Sequence, residues 1–101
     1  MKKYLIFLLL TLPLYLFAQN KVAVTGKVTS AVDNEPLIGV TVVEKGSSNG
    51  VLTDLDGNYS LPNVSQGGTV VFSMIGFVSQ EIKVGQGGVR NISMADDTKI
   101  L

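Results

Sequence analysis

From residue 22 onward, apolar and polar positions alternate with a period of two, in short runs cut by Gly, Asp, Asn, Ser and Pro at roughly ten-residue intervals. Val22 to Thr29 (V-A-V-T-G-K-V-T) turns Val22, Val24 and Val28 inward on either side of Gly26. A glycine inside a strand marks a bulge or a close approach of another backbone. Ser30 to Pro36 is turn-forming, and Pro36 has no amide to give to a ladder. Leu37 to Lys45 forms a second strand region with Ile38, Val40 and Val42 on one face. After the Gly46–Gly50 loop, Val51–Asp54 and Asn58–Leu61 flank Leu55-Asp56-Gly57, a hairpin signal in which Asp-Gly supplies the positive φ of a tight turn. Pro62 to Gly68 reads as a polar loop. Thr69 to Ile75 is the most hydrophobic run, predicting a central strand buried on most of its length. Phe77–Val84 and Val89–Met94 supply the last strands, separated by the Gly85–Gly88 turn. The pattern predicts an all-β sandwich of about seven strands. Its expected core is Val24, Val28, Val40, Val42, Leu52, Tyr59, Leu61, Val71, Phe72, Ile75, Phe77, Ile82, Val84, Ile92 and Met94.

The N-terminus follows a different pattern. Lys2 and Lys3 precede an apolar run, Leu5 to Phe17, broken only by Thr11, Pro13 and Tyr15, and Ala18-Gln19 offers a small residue for cleavage. Residues 1–18 therefore read as a secretory signal peptide, with the cut placed to within a residue or two because Leu16 at −3 is large. A membrane span needs about twenty apolar residues, more than this run contains. No cysteine stands near the boundary to take a lipid anchor. Removing residues 1–18 leaves 83 residues, one domain. A domain that small buries only about 60% of its unfolded surface and must fold on packing alone, since no disulfide is possible. Without Lys2 and Lys3, the eight basic and eight acidic groups become six and eight, a net charge of −2. No basic cluster interleaved with aromatics is present, so nucleic acid is not expected as a partner.

Candidate chemistry is sparse. With no His, Cys or Trp, most routes to nucleophilic or metal catalysis are closed. Asp54-Leu55-Asp56-Gly57-Asn58 resembles the opening of a calcium loop, but with Asp54 as position 1 the glycine falls at position 4 and Ser65 stands at position 12, where the bidentate Glu belongs. The segment reads instead as a structural turn in which Asp54 caps nearby amides, with Asp56 and Gly57 completing it. Asn-X-Ser triplets begin at Asn58, Asn63 and Asn91 and read as polar surface. Gly85–Gly88 lacks the lysine and following helix of a phosphate loop. The close carboxylate pairs, Asp33/Glu35, Asp54/Asp56 and Asp96/Asp97, fall in turns or the tail, where nothing drives their pKa values apart. No catalytic, cofactor-binding or metal-binding residue is assigned.

The segments V-T-G-K-V (Val24–Val28), P-L-I-G-V-T-V (Pro36–Val42), G-V-L-T-D-L-D-G-N-Y-S-L (Gly50–Leu61) and V-F-S-M-I-G-F (Val71–Phe77) together resemble the carboxypeptidase-regulatory-like domain. That resemblance implies a seven-stranded transthyretin-like, immunoglobulin-like sandwich over residues 19–95, with residues 96–101 beginning a linker. A signal peptide directly before the domain is similar to the N-terminus of SusC/RagA-type TonB-dependent outer-membrane transporters. Membership would imply a periplasmic position ahead of a TonB box, plug and barrel. The partners implied are the rest of the transporter chain, the TonB complex and, through the whole transporter, a surface lipoprotein. The turn residues Asp54, Asp56 and Gly57 carry over as structural, and no enzymatic activity follows. Even the smallest barrel needs about eight strands of about 9–11 residues, so no pore fits within 101 residues. The chain then reads as a fragment or a gene cut short. The competing readings are a free-standing exported sandwich that binds carbohydrate or protein, and an accessory domain of a peptidase.

Overall fold

A computed structural model describes residues 20–97; the expected signal peptide and the end of the expected linker lie outside them. Eight strands follow in order: β1 (Lys21–Ser30), β2 (Thr41–Glu44), β3 (Gly50–Leu52), β4 (Asn58–Ser65), β5 (Thr69–Ser73), β6 (Gln80–Lys83), β7 (Gly88–Val89) and β8 (Ile92–Met94). They form two sheets. In the first, β1 pairs antiparallel with β4 and parallel with β7 and β8. The second has the order β3-β2-β5-β6, antiparallel throughout.

Each sheet turns one face inward, which is why strict alternation governs burial. In β2, Val42 and Glu44 are buried while Thr41 and Val43 are half-covered; in β5, Val70 and Phe72 are buried. The two layers meet where the rings of Tyr59 of β4 and Phe72 of β5 pack edge to face, with centroids 5.3 Å apart and planes at 75°. Such a geometry opposes the positive ring edge to the negative face. Val24, Val28, Val40, Leu61, Val64, Val84, Ile92 and Met94 fill the remaining core.

Four expectations are corrected. The count rises from seven strands to eight because Val89–Met94 breaks at Arg90–Asn91. There the Asn91 side-chain Oδ1, in place of a backbone carbonyl, accepts the Lys27 amide at 3.0 Å. Pro62–Gly68 is not a loop from its start, since β4 runs on to Ser65. Pro62 is tolerated because β4 lies at a sheet edge and its register slips opposite Ala23, a bulge at which Asn63 takes φ 58°. Leu52 and Ile75 are not core: Leu52 lies on the solvent face of β3, and Ile75 is the first corner of a Met74–Phe77 turn with Gly76 (φ 91°) as the second. Val71 faces outward, one register step from the buried Val70, and the uncounted Val64 is buried.

Candidate functional site

The strand directions divide the loops between two ends of the sandwich. At one end lie Asn20, the β2–β3 loop, the β4–β5 turn and the β6–β7 connection. At the other lie the β1–β2 loop (residues 31–40), the β3–β4 turn (53–57), the β5–β6 segment (74–79) and residues 95–97 after β8. The second end holds the positions the sequence singled out, and it is tied together closely.

Asp54 organises the β3–β4 turn. Its Oδ1 accepts the amides of Asp56 and Asn58, each at 2.9 Å, while its carbonyl accepts the Gly57 amide at 2.9 Å. Gly57 adopts φ 78° and is pressed against β1: its carbonyl accepts the Val28 amide at 2.8 Å, and a Cβ there would stand 2.6 Å from the Val28 carbonyl oxygen. Asp56 projects into solvent. Thr53, buried at the base of the turn, donates its hydroxyl to the Leu37 carbonyl at 2.5 Å and accepts the Val40 amide at 2.9 Å. Further along, the Phe77 amide closes on the Met74 carbonyl, Val78 on Ala95, and Asp97 on Gly76. These loops are therefore fixed in shape.

Their composition is uneven. Six of the eight acidic residues, Asp33, Glu35, Asp54, Asp56, Asp96 and Asp97, stand in these segments, with no Lys or Arg among them. Interspersed are apolar side chains left in water: Ile75 is 98% exposed, Leu55 76%, Val32 69%, Ile38 50% and Val78 49%, and Leu52 at the end of β3 adjoins them at 64%. Among the described residues, no group of three acidic side chains is arranged to hold a metal ion. The three expected carboxylate pairs lie on separate loops, which the fold gathers to one end.

Two polar arrangements escaped the sequence reading. Glu44, only 9% exposed, accepts the Ser65 amide at 3.2 Å and the Asn49 side-chain amide at 3.5 Å, and the Ser65 bond holds its carboxyl below the usual carboxylate range. Its inward direction was legible, because it stands two residues from Val42. Tyr59 donates its hydroxyl to the Arg90 carbonyl at 2.6 Å, and burial pushes the phenol up to about 12, opposed by the Arg90 charge. Both ties hold β-strands together.

Comparison with known proteins adds three findings. The model of the CarboxypepD_reg-like domain family matches residues 24–101. TonB-dependent receptor P3 of Formosa agariphila is 41% identical over 85 residues, covering 84% of this chain and 8% of that receptor. TonB-dependent receptor SusC of Bacteroides thetaiotaomicron is 42% identical over 85 residues, with the same two shares. The match thus spans less than a tenth of these relatives. Among solved structures, a chain of a type II Cohesin-X-Dockerin complex from Acetivibrio cellulolyticus superposes with a TM-score of 0.56 at 22% identity, over 72% of this chain and 56% of that one. At that identity the likeness concerns the fold alone.

Proposed function

The chain belongs to the CarboxypepD_reg-like domain family, whose domains are non-catalytic modules, and from that premise we propose that it serves as the periplasmic, N-terminal module of a TonB-dependent outer-membrane transporter. In this reading residues 1–18 direct export and residues 19–95 form the module. Residues 96–101 lead toward the TonB box, plug and barrel, and the transported nutrient is a glycan or a peptide. The module acts as a rigid spacer or docking element ahead of the TonB box, where it adjusts access of the TonB complex or steadies the plug. A surface lipoprotein is met only through the whole transporter.

The observation that carries the reading is the 41–42% identity over 85 residues, 84% of this chain, to two TonB-dependent receptors. The hydrogen-bonded end loops suit a module that works by contact. Deleting residues 21–94 from the full-length transporter is expected to lower nutrient uptake while the barrel still assembles in the outer membrane. Unchanged uptake with normal assembly would refute the spacer or docking role.

A further inference from the structure

We propose that the end formed by residues 31–40, 53–57, 74–79 and 95–97 is the surface by which the module docks onto the domain that follows it in its own receptor chain, meeting a surface that is basic and apolar. The inference rests on the reading of this chain as part of such a receptor.

Three observations carry it. Apolar side chains concentrated in water at one place mark an interaction surface when scattered single exposures would not, and five large ones, Val32, Ile38, Leu55, Ile75 and Val78, stand on these loops, led by Ile75 at 98% exposure. They stand on loops already fixed by the Asp54 bonds, the Thr53 hydroxyl and the ties from Val78 to Ala95 and Asp97 to Gly76. Little conformational freedom is left to lose on binding.

Position then selects the occupant. The amide of Asp97 bonds to Gly76, the residue after Ile75, so the last described residue stands among these side chains, whereas Asn20, the first, lies at the opposite end. The relatives extend far beyond the matched 85 residues. A partner tethered by a short linker sits at an effective concentration on the order of millimolar, so a modest apolar contact suffices to hold it.

Charge sets the partner's chemistry. Six carboxylates and no Lys or Arg occupy these segments, and among the described residues the basic side chain in register nearest to them is Lys27, opposite Asn58 in β4. Lys21, Lys45 and Lys83 lie toward the other end. A basic surface is thereby drawn to one end and turned away from the other. A second copy of this chain would bring acidic end against acidic end, which disfavours self-association through this surface.

The test is site-specific photo-crosslinking in the protein expressed from its own chromosomal locus, so that whatever follows codon 101 is present. A photoreactive residue replaces Ile75 or Leu55, with Ser47 at the opposite end as the control. The expected result is an intramolecular crosslink from positions 75 and 55, mapped by mass spectrometry to downstream peptides of the same polypeptide, with none from 47. Glu35→Lys combined with Asp56→Lys is expected to cut the yield at position 75 several-fold. A crosslink to a second copy or to a separate protein, equal yields from both ends, or no crosslink would overturn the docking surface and leave the transporter reading to its deletion test. A product that stops at residue 101 would overturn both.

Discussion

Gly26→Ala tests the packing logic of the sandwich at its tightest point. Gly26 lies between Val24 and Val28 on the inward side of β1, opposite Tyr59 in register. A Cβ built there would stand 2.0 Å from the carbonyl oxygen of Arg90 and 2.6 Å from its carbonyl carbon. Both are backbone atoms, so no side-chain rotation relieves the clash. The β7–β8 connection must move outward, and it carries two ties: the Arg90 amide on the Thr25 carbonyl at 2.7 Å and the Tyr59 hydroxyl on the Arg90 carbonyl at 2.6 Å. Overpacking costs about 1–3 kcal/mol, and each weakened hydrogen bond about 1 kcal/mol. The expected loss is about 3–5 kcal/mol. In a domain of this size each kcal/mol lowers Tm by about 4–8 °C, so the fall should exceed ~12 °C. Urea denaturation followed by circular dichroism should show a lower midpoint at unchanged slope. Gly85→Ala is the control, because its Cβ would meet nothing within 4 Å; its stability should stay within about 1 kcal/mol of the parent. If Gly26→Ala loses no more than Gly85→Ala, the close approach of Arg90 is not what requires glycine.

Tyr59 predicts an alkaline limit. Its folded pKa of about 12 lies above the ordinary phenol value near 10, so its contribution is complete below pH 10 and falls away as pH rises toward 12, by up to about 2–3 kcal/mol. Tyr59→Phe should cost about 1–2 kcal/mol at pH 7 by orphaning the Arg90 carbonyl, and should shrink that alkaline loss in melts across pH 9–12. Glu44 works in the opposite sense: its lowered pKa gives stability above the ordinary Glu value of 4.5 that is lost as pH falls through the folded value. Glu44→Gln should therefore flatten the stability profile below pH 4.5 in acid melts. Thr53→Val leaves the Val40 amide and the Leu37 carbonyl without their partner and should cost about 2 kcal/mol by chemical denaturation. Asp54→Ala removes the acceptor of two turn amides and should cost about 1–2 kcal/mol by the same measurement.

The fold was largely legible because alternation of apolar residues and turn chemistry are local signals. Val24, Val28, Val40, Val42 and Phe72 fall where a period of two places them, and all are fully buried. The failures have local causes too. Thr69–Ile75 is apolar nearly throughout, so nothing in it says which of Val70 and Val71 faces the other sheet; the pairing of Val70 with Ile82 and of Val71 with Glu81 decides that. Ile75 looked like the end of a buried strand, whereas Gly76 after it, with positive φ, makes it a turn corner. Pro62 to Gly68 reads as a loop because it is polar, and only the topology reveals that β4 is an edge, where a proline can sit in a strand.

The candidate surface was hidden for a different reason. In sequence, Asp33/Glu35, Asp54/Asp56 and Asp96/Asp97 are three unremarkable turn pairs separated by about twenty and forty residues. Each exposed apolar residue, Ile38, Leu55 or Ile75, is equally ordinary alone. They become one surface only because β1, β3, β5 and β8 all finish at the same end, so that the loops leaving them share a face. Strand direction is the missing variable. The parallel pairing of β8 with β1 makes the decisive difference, since an antiparallel last strand would carry Asp96 and Asp97 to the end where Lys21 and Lys45 lie. The separation of charge along the sandwich, and with it the polarity of any docking through its ends, is thus a property of topology acting on scattered residues.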